Sequence, residues 1–156
     1  QQFFLRVACA LSDAPAWVAS AANTLAALRG WSPLVALQAE YSLLERTAER
    51  ELLPMAQALE LTVTAWSPLG GGRLAEPQSE RDHAVATALD AIALDQGVSR
   101  TVAAYSWLMA HPAGIVPIVG SQRPERIREA TQALRVRWGR EQWYAVLVAA
   151  RGERLP

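Results

Sequence analysis

The sequence predicts an α/β fold of parallel strand–helix units. Short apolar runs bounded by turn residues alternate with longer helix-periodic stretches, in the order β-α-β-α-β-α-α-β-α-α. No repeat, low-complexity tract or linker interrupts that alternation. The 156 residues are 51% hydrophobic, enough for a real core and consistent with a single unit spanning residues 1–156.

Residues 3–11 read as the first strand. A helix opens around Ala14-Pro15, with Asp13 as its N-cap and Pro15 tolerated in the first turn, and runs to about Arg29 before Gly30 stops it. Residues 34–37 form the second strand, followed by Gln38-Ala39-Glu40-Tyr41. Residues 47–59 are helical, and Pro54 demands either a kink or a start at Leu53. Residues 61–66 are a third strand rich in β-formers, and residues 67–77 a loop. A helix over 81–96 ends at Gly97; Ser99 caps the next, which reaches Ala110 and stops at His111-Pro112. Residues 115–119 are the fourth strand, and 123–134 and 141–151 the last helices. Tyr41, Tyr105, Tyr144, Trp107, Trp138 and Trp143 read as packing residues, and His83 and His111 as surface and helix-stop residues.

A doubly wound sheet and part of a (β/α)8 barrel both fit this pattern. A strict G-x-G-x-x-G is missing: Gly70, Gly72 and Ala75 match only the looser form, and Pro77 stands where a helix should continue. A typical eight-stranded barrel takes about 250 residues, so four strands in this length make about half of one.

Composition excludes several functions. Net charge is zero, so nothing global points to nucleic acid or an anionic membrane surface, and no apolar stretch is long enough to span a bilayer. The single cysteine, Cys9, rules out a disulfide framework; it reads as a small buried hydrophobe, in a cytoplasmic setting. All 15 basic residues are arginine, so no lysine of this chain can act as a base, a Schiff-base former or a proton relay.

The most informative stretch is "TAWSPLGGGRLAEP", residues 64–77. A strand ends in an aromatic residue and is followed by three glycines. That is either a tight turn or a backbone laid bare for a phosphate group. The segments "LSDAPAW", "LQAEYSLLERTAEREL", "VTAWSPLGGGRL" and "VPIVGSQRPERIREA" occur in that order. Together they resemble the aldo-keto reductase superfamily over nearly the whole chain, matching the C-terminal half of its TIM-type (β/α)8 barrel.

The resemblance implies a nicotinamide cofactor, NADPH (NADP+), across the C-terminal strand ends, and a small carbonyl substrate. Ser12 and Asp13 match the pair that hydrogen-bonds the nicotinamide carboxamide, and Gln38 matches its third partner. Trp66 matches the aromatic residue that stacks on the ring. Ser67, Pro68, Leu69, Gly70, Gly71, Gly72 and Arg73 match the loop along the pyrophosphate. Gly120, Ser121, Arg123, Arg126 and Glu129 match the loop and helix N-terminus that hold the 2′-phosphate and adenine. A helix N-terminus favours an anion, and a guanidinium adds a charge-assisted bond. Gly120 stands where many members carry lysine, and Ala130 where many carry asparagine.

The family's Asp, Tyr, Lys and His proton relay lies on the N-terminal half, and no position here matches it. The expected chain is a cofactor-holding half without the catalytic half. The alternative is a non-catalytic interaction module like the potassium-channel β subunits, which share the fold. An open half-barrel edge also invites a homo-oligomer.

Overall fold

The computed structural model describes residues 8–153. Its elements are β1 (Cys9–Ser12), α1 (Ala16–Arg29), β2 (Leu34–Glu40), a 3-10 turn (Thr47–Glu49), α2 (Leu52–Ala58), β3 (Thr62–Trp66), α3 (Glu80–Gln96), α4 (Arg100–Met109), β4 (Ile115–Pro117), α5 (Pro124–Ala130), a second 3-10 segment (Thr131–Arg135) and α6 (Arg140–Arg151). Residues 3–7 of the expected first strand lie outside the described residues.

The sheet runs β1-β2-β3-β4 with every neighbouring pair parallel. Spatial order follows chain order without the reversal that marks a doubly wound sheet, which favours the barrel of the two topologies left open by the sequence. One face of the sheet is closed: Leu37, Ala39, Val63, Ala65 and Ile115 are buried under the helices. The opposite face carries Ala36, Gln38, Thr64, Trp66 and Val116, none of them buried. On the helical side, the Trp107 and Trp143 rings stack at 4.6 Å and 7°, locking α4 to α6.

Helix ends follow the capping residues. The Ser79 and Ser99 hydroxyls accept from Asp82 N and Val102 N, and Gly30 and Gly97 close their helices in the left-handed conformation. Other local expectations are corrected. Asp13 does not cap α1; Pro15 holds that position without a side-chain bond, because the Asp13 carboxylate is engaged elsewhere. β2 continues three residues further, to Glu40, because residues 36–40 find a complete ladder on β3. Of the two alternatives at Pro54, a kink or a start at Leu53, the structure takes the second to within one residue. The chain breaks after Glu49 and α2 restarts at Leu52, which puts Pro54 in a first turn where a missing N–H costs little. The helix expected over residues 123–134 tightens to 3-10 geometry from Thr131.

Cys9 is exposed rather than buried, since β1 is an edge strand. His111 follows the end of α4, as expected of a helix-stop residue, and is half-buried. Its ring meets Tyr41 edge-on at 6.0 Å, and its Nδ1 accepts from Ala113 N. Burial holds the His111 imidazole below its ordinary pKa, against the opposing pull of the Glu49 carboxylate. Large apolar side chains stand exposed at both margins: Trp17, Leu28 and Trp31 on and after α1, Val116 and Ile118 on and after β4.

Candidate functional site

Parallel strands in one order place their C-terminal ends on one rim. Ser12 ends β1, Gln38 lies opposite it on β2, Trp66 ends β3 opposite Glu40, and Gly120 follows β4 by three residues. The four sequence-expected residues therefore share one edge of the sheet.

The first three residues of that rim, with Asp13, form a hydrogen-bonded cluster. The Ser12 hydroxyl donates to Asp13 Oδ2 at 2.8 Å, and the Trp66 indole N–H donates to Asp13 Oδ1 at 2.9 Å. Gln38 Nε2 donates to Ser12 Oγ across a long 3.4 Å. The backbone makes this possible. Asp13 (φ 51°) and Ser67 (φ 48°) are non-glycine residues in the left-handed region, each just past a strand end. The turn at Asp13 keeps its N–H on Gln38 O while its side chain comes back over the rim.

The loop after β3 answers the question its glycines raise. Gly70, Gly71 and Gly72 all have positive φ. A Cβ at Gly70 would lie 2.9 Å from the Leu44 Cδ1 methyl, and its φ of 60° favours glycine there. The Gly70 and Gly72 amides donate to Ser67 O and Leu69 O, so the loop spends them on its own turns. Gly71 keeps an N–H without a backbone partner among the described residues, and a Cβ there would meet open space. The stretch is thus both a tight turn and a bare surface.

Arg73 departs from an outward phosphate-facing posture. Its Nε and Nη2 clamp Asp82 at 3.0 and 2.6 Å, tying the loop to the start of α3. Asp82 also accepts from Gln78 N, and its side chain is fully buried. The Arg73 hydrogen bonds hold its carboxyl down at a pKa of about 2, against burial. Sequence reasoning missed this anchor; an aspartate three residues after a serine cap was its available signal.

At the far end of the rim, Ser121 Oγ accepts from Arg123 N, and Arg123 stands at the N-cap of α5. Arg123 and Arg126 are exposed, and neither takes part in an ion pair among the described residues. Glu129 is half-buried, close enough to Tyr105 for its charge to reinforce the burial that raises that phenol.

A second polar cluster was also missed. Tyr41, read only as packing, donates to Glu49 Oε1, and Arg46 clamps the same carboxylate at 2.7 and 2.6 Å. Burial pushes the Tyr41 hydroxyl far above its ordinary pKa. This cluster staples the loop after β2, where Tyr41 N donates to Trp66 O. Two hollows have other linings: about 350 Å³ beside Ser106 and Trp138, and about 580 Å³ among Arg46, Arg50, Arg81 and Arg151.

The model of the aldo/keto reductase family matches residues 7–147. The chain belongs to that family. It is 74% identical over 104 residues to a 6-dehydroglucose reductase of Novosphingobium aromaticivorans, covering 67% of this chain and 34% of the relative. It is 41% identical over 121 residues to a 6-dehydroglucose reductase of Agrobacterium fabrum, covering 77% and 40%. Among solved structures it resembles a thermostable aldo-keto reductase in complex with the inhibitor epalrestat, at a TM-score of 0.65 and 28% identity over 76% of this chain and 40% of that one. The chain thus spans between a third and two fifths of these proteins' length. Its parallel strand–helix units have the fold of part of an aldo-keto reductase barrel.

The donor set fits a nicotinamide carboxamide. That group offers two N–H donors and one carbonyl acceptor, and the rim presents hydroxyl, carboxylate and amide partners beside an aromatic face. Among the described residues, the hydrogen bonds of this corner involve no arginine, whereas Arg123 and Arg126 follow Gly120, where a phosphate needs them.

Proposed function

We propose that this chain is the cofactor-holding half of an NADPH-dependent aldo-keto reductase that reduces an aldehyde to an alcohol. The observation that carries the reading is the Ser12–Asp13–Gln38–Trp66 cluster, closed by hydrogen bonds at the C-terminal rim. When bound, the cofactor supplies a hydride. The chain's residues bind and orient: Ser12, Asp13 and Gln38 hold the carboxamide, and Trp66 covers one ring face and leaves the other to the substrate. The loop 67–72 follows the pyrophosphate, with the Gly71 N–H available to it and Arg73 turned to Asp82. Gly120, Ser121, Arg123, Arg126 and Glu129 hold the adenosine 2′-phosphate end.

The proton delivered to the product comes from residues outside this chain. The family's relay uses a lysine, and this chain has none. The exposed margins support this domain assignment. Trp17, Leu28 and Trp31 beside β1, and Val116 and Ile118 beside β4, are the surfaces that further strand–helix units of a closed barrel would cover. For substrate, the 74% identity to a 6-dehydroglucose reductase favours a sugar aldehyde.

Grafting tests the reading. The matching segment of the Novosphingobium relative is replaced by this chain's residues, and NADPH oxidation is followed with 6-dehydroglucose. The chimera is expected to turn over and this chain alone to give only background. Turnover by the chain alone, abolished by a mutation within it, would show that the relay assignment is wrong. A folded but inactive chimera that binds no NADPH would favour a non-catalytic module.

A further inference from the structure

The hollow of about 580 Å³ plays no part in the proposed cofactor role, yet four arginines line it. They come from separate parts of the fold. Arg46 and Arg50 flank the 3-10 turn after β2, Arg81 lies in the first turn of α3, and Arg151 ends α6. Three of the guanidinium groups are held in place by bonds within the chain. Arg46 gives Nε and Nη2 to Glu49, Arg81 gives Nε to Ala150 O at 2.8 Å, and Arg151 gives Nη2 to Glu153 at 3.0 Å. A guanidinium carries five N–H donors, so each keeps donors to spare. Arg50 is exposed and joins none of the ion pairs formed among the described residues.

Counter-charge is scarcer. Glu45 and Glu49 also line the hollow, and four arginines against two glutamates leave a surplus of two positive charges. Glu153 offsets part of it from outside the lining, with a side chain 71% exposed to water. Glu45 is the resident anion. Its Oε1 accepts from Thr47 N at 2.8 Å. The Thr47 hydrogen bonds, and after them the Arg81 and Arg50 charges, hold its carboxyl below its ordinary pKa against the opposing pull of burial.

We propose that this hollow is a binding site for a phosphate dianion, free or as the ester of a small molecule, with Arg50 and Arg81 as its main donors and Arg46 and Arg151 completing the lining. A planar guanidinium fork matches phosphate oxygens and forms charge-assisted bonds with them. A dianion balances the surplus on the lining. The volume falls within the range of about 300–1,000 Å³ usual for small-molecule sites, so an organic group can accompany the phosphate. None of the residues assigned to the dinucleotide lines this hollow, so the inference stands apart from the cofactor reading.

Arginine Nε–H resonances of the intact protein, followed by NMR as inorganic phosphate replaces chloride at constant ionic strength, locate the site. Those of Arg50 and Arg81 should shift together and saturate with one dissociation constant. Arg50→Gln changes an exposed side chain and should leave the fold intact while weakening phosphate about tenfold, the lower end of what a charge-assisted hydrogen bond contributes. Glu45→Gln should act in the opposite direction and tighten phosphate about threefold, the scale of an interaction between exposed charges. It removes the resident charge while its Oε1 can still accept from Thr47 N. Glucose 1-phosphate in place of inorganic phosphate distinguishes the sources: tighter binding of the ester assigns a phosphorylated small molecule, and equal or weaker binding assigns free phosphate. Shifts confined to Arg123 and Arg126, no saturable shift, or equal affinity in wild type and Arg50→Gln would overturn the site. Unchanged or weaker binding in Glu45→Gln would overturn Glu45 as its resident counter-charge.

Discussion

Arg126 stands in the first turn of α5, exposed and outside the ion pairs formed among the described residues. Its predicted role is to distinguish NADPH from NADH, which differ by the 2′-phosphate. A charge-assisted hydrogen bond contributes about 1.5–3 kcal/mol, and solvent at an exposed site brings the effect toward the lower end, about tenfold in affinity. Arg126→Ala should weaken NADPH binding by that factor in titrations at low salt, leave NADH nearly unchanged, and show a smaller gap at high salt. Equal losses for both dinucleotides would instead assign Arg126 to the adenine or to the helix. Single residues were legible where their neighbours in sequence determine their role. Ser99 as a cap and Gly97 as a stop are examples. Asp13 was misread as a helix cap because its partner Trp66 lies 53 positions away, and only the β1–β2–β3 pairing brings them together. His111 does follow the end of α4, as expected, but its partial burial was not legible, because it comes from Tyr41 and Trp143.

The segment joining β3 to α3 depends on one ion pair. Arg73 clamps Asp82 with two hydrogen bonds, and the Asp82 side chain is buried while that of Arg73 is 43% exposed. The two deletions should therefore differ. Arg73→Ala strands a buried carboxylate and should cost about 3 kcal/mol in urea denaturation at pH 7. Asp82→Asn leaves an arginine that water can solvate, and should cost about 1–2 kcal/mol. The pH dependence follows from the sign of the shift. The Asp82 pKa is held at about 2, below the ordinary value of 3.8, so the folded state binds this proton less readily than the unfolded chain. Its stabilisation is complete above about pH 4 and is lost as the pH falls toward 2. Wild-type stability should fall in that window more steeply than that of Asp82→Asn; equal slopes would mean the pair carries no net stabilisation. Elements were read from the sequence better than their ends. The short strand ending at residue 37 came from stopping at polar Gln38, yet Gln38 and Glu40 alternate with buried Leu37 and Ala39, the period of a strand with one covered face.

At the scale of the molecule, alternating units predicted a parallel sheet, and the four strands lie parallel in chain order. The sequence could not separate barrel from doubly wound sheet by pattern alone, because both alternate strand and helix; unreversed spatial order is a property of the assembled sheet. In the proposed function, this order sets Ser12, Gln38 and Trp66 around a nicotinamide. The most direct measurement is a crystal structure of the intact protein with NADP+. The predicted result is the nicotinamide ring packed on Trp66, its carboxamide within hydrogen-bond distance of Ser12 and Gln38, and the pyrophosphate along residues 67–72. A dinucleotide bound elsewhere, or bound at the rim with its adenine rather than its nicotinamide on Trp66, would contradict it.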